Sequence, residues 1–225
     1  MSTPEALRGV PEALGRPELD ESAMPTTPMA MFTRWFGEAR ESGEAEAETL
    51  SLATVGSDGL PAVRFVLLKS ADEQGFVVYT NYRSKKGADI DAHPAASLAF
   101  RWALLHRQVR ATGRVVPVAP EVSDAYFASR PRLSQLGAWA SPQSKVIDSR
   151  AELHRRLTEV EQRFAGRDVP RPLWWGGLRI EPSVVEFWQG RDNRLHDRLQ
   201  YRRETDKEAG NRAGNDGWLI ERLAP

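Results

Sequence analysis

The sequence predicts an α+β fold built on an antiparallel sheet or barrel, with helices inserted between strands rather than alternating with them one for one. Segments with strand periodicity recur at short intervals, and the stretches between them carry the Gly, Asp and Asn of tight turns. Neither GxGxxG nor GxxxxGK[ST] occurs, so a doubly wound dinucleotide fold and a P-loop have no sequence support.

Residues 1–26, rich in Pro, Gly, Ala and Glu without a sustained period, read as a mobile arm, able to order on something else, ahead of a single domain, 27–225. Thr27 caps a first helix and Pro28 suits its first turn; Met29, Phe32, Trp35, Phe36 and Ala39 follow along one face, and Gly43 ends it. The period then shortens to that of strands at 49–55, 61–69 and 76–80, joined by Gly56-Ser57-Asp58-Gly59 and Asp72-Glu73-Gln74-Gly75 as an antiparallel meander. Ser84 to Ala92 has short helical character, and 96–102 and 107–118 are further strands. Of three helical pieces that follow, 150–164 is clearest: Leu153, Leu157, Val160 and Phe164 form one stripe, and Ser149 with Glu152 makes a capping box. Strands return at 177–181, 184–189, 195–202 and 217–223, the last two separated by an exposed polar loop, Glu204 to Asp216.

Among 225 residues, 31 Lys and Arg balance 31 Asp and Glu, so no global field draws the protein to nucleic acid or to an anionic membrane. The balance is uneven. Residues 1–60 hold 4 basic and 11 acidic side chains, which places any anion site after residue 60. The start, Met1-Ser2-Thr3-Pro4-Glu5, lacks the features of a secretion signal, and no apolar run is long enough for a membrane span, so the cytoplasm is expected. Zero cysteine excludes disulfides, thiolate metal sites and thiol nucleophiles; His93, His106, His154 and His196 never take HExxH spacing, and no metal is expected. Seven Trp and four Tyr raise base stacking, but Trp35, Trp102, Trp174, Trp175 and Trp188 fall on an apolar helix face or in and beside strands, where core is the simpler role.

Four constellations can carry chemistry. Arg64 to Lys69 brackets an apolar strand with two cations, and Tyr79 to Gly87 adds hydroxyls and further cations, a set able to hold a phosphate; a solvated turn also fits Arg83 to Lys86. Tyr126, Arg130 and Ser134 stand at i, i+4 and i+8, three donors for a phosphate, provided that the break at Pro131 turns Ser134 back toward the same point; a surface helix end with an incidental Arg fits equally. On a strand after the Gly190 to Asn193 turn, Arg194, His196 and Arg198 alternate to one face, with Leu195 and Asp197 on the other; two arginines flanking a histidine suit an anionic or electron-rich ligand, and a pair of salt-bridged surface arginines also fits. The loop from Gly137 to Ser144 offers amides and hydroxyls to a heterocycle, or is an ordinary loop.

The ordered series RxxLLK (64–69), YTNYxSKKG (79–87), RQVRxxG (107–113), SxxYFxSRPRxSQxGAWASxQS (123–144), PRPxWWGG (170–177), EFWQGRxNRLHDR (186–198) and ERLAP (221–225) resembles the pyridoxine/pyridoxamine 5′-phosphate oxidase family from about residue 28 to the end. The resemblance implies a split-barrel homodimer with FMN in clefts between subunits. It would oxidise pyridoxamine or pyridoxine 5′-phosphate to pyridoxal 5′-phosphate with O2 as acceptor, giving H2O2, and ammonia from the amine. By position, FMN contacts would be Arg64, Phe65, Val66, Leu67, Leu68 and Lys69, then Tyr79, Thr80, Lys85 and Lys86, then Gln108, Gln143, Ser144, Trp188 and Arg198. The substrate phosphate would fall to Lys69, Tyr126, Arg130 and Ser134, with Arg194, Leu195 and His196 at the pyridine ring and Arg194 and His196 as the catalytic pair. The chain departs from the family pattern at Lys85, where arginine is usual, and in its arm, which lacks Arg-x-x-Tyr. A flavin oxidase of phenazine assembly and a non-catalytic flavin or pyridoxal phosphate carrier are the rival readings.

Overall fold

The computed structural model describes residues 18–204 and 217–225. Helix α1 (Pro28–Glu41) is followed by β1 (Thr49–Val55), β2 (Pro61–Leu67), β3 (Ser70–Asp72), β4 (Gly75–Asn81), α2 (Lys85–Ala92), β5 (Ala95–Trp102) and β6 (Arg107–Pro117). Helices α3 (Pro120–Ser129), α4 (Arg132–Ala140) and α5 (Arg150–Arg163) precede β7 (Trp175–Gln189), β8 (Asp197–Arg203) and β9 (Trp218–Arg222). The strands form one antiparallel sheet in the order β2-β1-β5-β6-β7-β4-β3, with β8 added on β7 and β9 on β8. The expected α+β fold with an antiparallel split barrel is what the chain adopts.

The two ends of that order are consecutive in sequence, and this curls the sheet. After Leu67 the chain leaves β1: the Leu68 amide donates to the Glu48 carbonyl and the Lys69 amide to the Val77 carbonyl, both at 2.9 Å. The expected strand 61–69 therefore ends at Leu67, and a separate β3 pairs with β4. Strand β7 divides the barrel, its first half pairing with β4 and its second with β8. It runs unbroken where two strands were expected, because a register shift opposite Thr112/Gly113 leaves Ser183 as an extra residue. Such a bulge accommodates Pro182, which has no amide to offer a ladder.

Helix α1 plugs the barrel. The Thr27 hydroxyl accepts the Ala30 amide (3.2 Å), and Met31, Phe32, Trp35 and Ala39 are buried along the apolar stripe. Phe32 meets Phe76 edge-on with centroids 4.9 Å apart, and Trp35 meets Phe187 likewise at 5.3 Å. Burial of each such side chain is worth about 1.5–3 kcal/mol, so this helix is integral to the core. A smaller cluster of Phe127, Leu136, Phe164, Val169 and Trp175 lies under α3 to α5. The Ser149 hydroxyl caps α5 at the Glu152 amide (3.2 Å), while the Glu152 carboxylate accepts the Asp148 amide (3.1 Å), one residue before the cap.

Two further expectations need correction. Residues 18–26 are not a free arm: Leu19 is buried, its amide donates to Asp197 (3.2 Å), Arg222 binds Glu21, and the Tyr201 hydroxyl donates to the Pro25 carbonyl (2.8 Å). Residues 1–17 of that arm, and 205–216 of the expected polar loop, lie outside the described residues. The expected strand 195–202 begins only at Asp197, because Asn193 and Arg194 take left-handed φ of 55° and 62° and the Leu195 amide closes a turn on Asp192. Arg194, His196 and Arg198 are thus not an alternating row on one strand. Among the described residues, no helix is long and apolar enough to cross a membrane.

Candidate active site

A cavity of about 540 Å³ opens where β2, β4 and the α3–α4 corner meet. Along β2 the residues alternate between an exposed face with Val63, Phe65 and Leu67 and a half-buried face with Ala62, Arg64 and Val66. Arg64 lines the cavity while its Nη1 donates to the Leu52 carbonyl (3.0 Å) and the Thr54 hydroxyl (2.7 Å). From β4 come Tyr79 and Thr80, and burial pushes the Tyr79 phenol above its usual range.

Helix α2 starts beside β4. Ser84 caps it by accepting the Gly87 amide (3.4 Å), and glycine is needed there because a Cβ would fall 1.9 Å from the Tyr82 carbonyl oxygen. This close approach sets Lys86 over the cavity, where Nζ donates to Thr80 (3.0 Å), Ser84 (3.3 Å) and the Gln143 side-chain carbonyl (3.5 Å). Burial, with the charge of Arg64 acting the same way, pushes the Lys86 pKa below 10.5.

The break at Pro131 gathers the third set. Arg130 is extended, Pro131 precedes a new helix, and Gln135 Nε2 donates to the carbonyls of Phe127, Ala128 and Arg130, each at 3.1 Å. This clamp closes the corner so that Tyr126, Arg130 and Ser134 all line the cavity. The Tyr79 and Tyr126 rings stack at 3.9 Å, and Trp175 lies nearly parallel to Tyr126. The Arg130 guanidinium sits 4.5 Å over Trp175, and its Nη1 is buried with no hydrogen-bond partner, alone in this among the described residues. Burial depresses the Arg130 pKa. Four cations, Arg64, Lys69, Lys86 and Arg130, face this space, and no carboxylate is among the residues lining it. Phosphate or other anionic groups are what such a donor set fits.

The cavity therefore brings together Arg64, Phe65, Val66, Leu67 and Lys69 with Tyr79, Thr80 and Lys86, and joins them to Tyr126, Arg130, Ser134 and Gln143. Three neighbours in sequence stand apart from it. Leu68 packs into the barrel core at the sheet corner, Lys85 is paired with Asp89 (2.6 Å), and Ser144 is exposed on a turn with φ of 69°. Asn81, Gly137, Ala138 and Ser141, which the sequence offered only within longer polar stretches, also line it, Gly137 and Ala138 from helix α4 rather than from a loop; Trp175, read as core, is both buried and at the cavity. The flat ring that supports Arg130 has no signature in sequence beyond the WWGG motif around it.

The remaining candidates form a second patch. Gln108, Trp188 and Arg198 are directly paired across β6, β7 and β8. Arg198 donates to Glu186 (2.8 Å), which also bonds Arg110; burial opposes ionisation of Glu186, but these arginines outweigh it and hold its pKa below 4.5. The His196 ring lies 4.6 Å from that of Trp188, and its Nδ1 accepts the Arg191 amide (3.1 Å). A neutral imidazole so held carries its proton on Nε2, as a donor. Leu195 is exposed. Trp175 at the start of β7 lines the cavity while Trp188 is thirteen residues on, about 40 Å of strand contour at ~3.3 Å per residue, and none of this second patch lines the cavity.

Fold and cavity together define a split-barrel protein with a cationic, aromatic-walled cleft. The family model "Pyridoxamine 5′-phosphate oxidase" matches residues 37–164, and "Pyridoxine 5′-phosphate oxidase C-terminal dimerisation region" matches 175–225. The chain belongs to the pyridoxine/pyridoxamine 5′-phosphate oxidase family. It is 52% identical over 210 residues to the pyridoxine/pyridoxamine 5′-phosphate oxidase of Burkholderia multivorans, covering 93% of this chain and 94% of that protein. With the enzyme of the same name from Rubrobacter xylanophilus, identity is 50% over 219 residues, 97% of this chain and 96% of the other. Among solved structures, PhzG from Burkholderia lata 383 in complex with tetrahydrophenazine-1-carboxylic acid is similar at TM-score 0.81 and 29% identity, covering 91% and 95% of the two chains. A pyridoxamine 5′-phosphate oxidase-related, FMN binding protein from Nostoc punctiforme shares the fold at TM-score 0.67 and 18% identity, covering 88% and 98%.

Proposed function

We propose that this chain is an FMN-dependent oxidase that converts pyridoxamine or pyridoxine 5′-phosphate to pyridoxal 5′-phosphate, acting as a cytoplasmic homodimer. Dioxygen is the acceptor and H2O2 the second product; the amine also consumes water and releases ammonia. The observation that carries this reading is the buried, unpartnered Nη1 of Arg130, beside Tyr126 and Ser134 in a four-cation cavity without a carboxylate. A buried charged donor without an acceptor is costly unless a ligand supplies one. A substrate phosphate meets that need, with Lys69 as a further cation.

Arg64, Lys86 and Thr80 would form the other anion-binding subsite and hold the FMN phosphate, with the backbone of Phe65 to Leu67 against the ring system. FMN, when bound, would supply the acceptor for the hydride, which carries both electrons of the oxidation. The protein's part is to place the substrate and to exclude water from it. Arg194 and His196 would face the substrate ring, His196 donating from Nε2 because its Nδ1 is taken by the Arg191 amide.

Since Gln108, Trp188, Arg194, His196 and Arg198 do not line the cavity of their own chain, they would complete the cavity of a second copy. Two-fold symmetry would bring one end of the β6–β7 ribbon to the other end of its partner's, and the exposed Val63, Phe65 and Leu67 stripe would supply apolar surface for that contact. The match of residues 175–225 to a dimerisation region supports this arrangement.

The test is the absorption spectrum of the purified protein before and after anaerobic addition of pyridoxamine 5′-phosphate. A flavin spectrum that bleaches, with pyridoxal 5′-phosphate formed, is expected. Bound flavin that substrate leaves unchanged would favour a carrier. Turnover confined to unphosphorylated aromatic acids would favour a phenazine-type oxidase, the reading to which the PhzG likeness points.

A further inference from the structure

Behind the cavity wall a chain of polar groups links helix α2 to Arg64. Asp89 on α2 and Thr54 on β1 are both buried, with 2% and 1% exposure. The Thr54 hydroxyl lies 2.7 Å from Asp89 Oδ2 and 2.7 Å from Arg64 Nη1. A guanidinium has no lone pair to offer and a hydroxyl has one proton, so the directions are fixed: Arg64 donates to Thr54, and Thr54 donates to Asp89. Asp89 Oδ1 takes the Lys85 ammonium at 2.6 Å, and Arg64 Nη2 stands 3.7 Å from Oδ2. Burial opposes ionisation of Asp89, but the bonds from Lys85 and Thr54 and the nearby cations outweigh it, so the carboxylate stays charged.

We propose that Thr54 and Asp89 are positioning residues, a buried relay that orients Arg64 toward the phosphate of the cofactor. The inference rests on the reading of this cavity as the FMN site. Both Nη1 protons of Arg64 are spent on Leu52 and Thr54, which leaves the Nη2 and Nε protons as the ones available to an anion. An arginine without such bonds samples many rotamers and loses that freedom on binding; one already held loses less. The same carboxylate takes Lys85, which is not among the residues that line the cavity.

The competing role is a purely structural tie between α2 and β1. Thr54→Val, equal in size, removes only the hydroxyl, and Thr54→Ser keeps it. Dissociation constants for FMN and riboflavin would be measured by flavin fluorescence on cofactor-free protein, with unfolding temperature as the check on folding. Thr54→Val should weaken FMN about three- to tenfold, the loss of one hydrogen bond, and riboflavin less than about twofold, while Thr54→Ser stays near wild type. In an Arg64→Ala background, Thr54→Val should cause no further loss. Equal weakening of both flavins, unchanged FMN affinity, or a full additional loss without Arg64 would overturn the relay; if Thr54→Val does not fold, Thr54→Ala is judged by the same criteria. A wild-type protein that fails to prefer FMN overturns the cofactor reading itself, and is recognised before any variant is compared.

Discussion

Replacing Arg130 by methionine separates phosphate recognition from the rest of the site. Methionine keeps apolar bulk against Trp175 and removes the buried guanidinium, whose Nη1 has no partner. Charge-assisted hydrogen bonds are worth about 1.5–3 kcal/mol each, so the loss of two to a phosphate is about 3–6 kcal/mol, roughly 10²- to 10⁴-fold in kcat/KM. Because the phosphate is held alike in ground and transition states, the loss should appear in KM, with kcat nearly unchanged. The assay is steady-state oxidation of pyridoxamine 5′-phosphate beside unphosphorylated pyridoxamine, for which wild type and variant should be alike. Unfolding of the ligand-free variant adds a second arm. The variant loses a cation–π contact of about 0.5–2 kcal/mol but also a desolvated charge, so its unfolding temperature should match or exceed wild type. Equal losses with both substrates, or a fall in kcat as large as the rise in KM, would refute the reasoning.

FMN affinity should fall on the alkaline side at a lower pH than an ordinary lysine would give, because burial depresses Lys86 below 10.5, and Lys86→Arg should remove that fall; fluorescence titration across pH checks it. Glu186 has a folded pKa below 4.5, so its stabilisation is complete above that pH and is lost as pH falls through the folded value; Glu186→Gln should flatten the acid limb of urea midpoints. Arg194→Ala should lower kcat even at saturating FMN, and full activity on adding FMN would show that the segment only clamps the flavin. His196→Asn, which keeps an acceptor for the Arg191 amide but loses the Nε2 donor, should lower kcat/KM about tenfold or more without changing FMN affinity.

Where local pattern and tertiary demand agree, the sequence was readable almost to the residue. Strand β1 lies at the expected 49–55 because its alternation is bounded by a glycine turn, and α1 starts after Thr27 because the hydroxyl cap is local chemistry. Tyr126, Arg130 and Ser134 were legible as a set from their spacing, but the Gln135 clamp that makes them converge was not, since it bonds three carbonyls across a break. The row Arg194, His196, Arg198 mimics a strand period; Asn193 tolerates a left-handed φ, but nothing in Arg194 announces that the turn continues through it. Two strands, 177–181 and 184–189, were expected where β7 runs unbroken, because the bulge at Ser183 beside Pro182 depends on register with β6. Leu68 was placed with its neighbours in a ligand strand, yet the sheet turns its corner there and directs it into the core. Pairings between separate copies are likewise invisible to a single chain.

The most direct test of the account is complementation between two inactive variants, since its central claim is that each site draws Arg130 from one subunit and Arg194 from the other. Arg130→Ala and Arg194→Ala proteins would each be nearly inactive on pyridoxamine 5′-phosphate at a concentration far below the KM of the former. They would then be unfolded together, refolded with excess FMN and assayed. Random pairing makes half of the dimers mixed, and each mixed dimer has one site with both wild-type arginines, so about a quarter of wild-type activity should return. A mixture no more active than the sum of its parents would contradict the shared site.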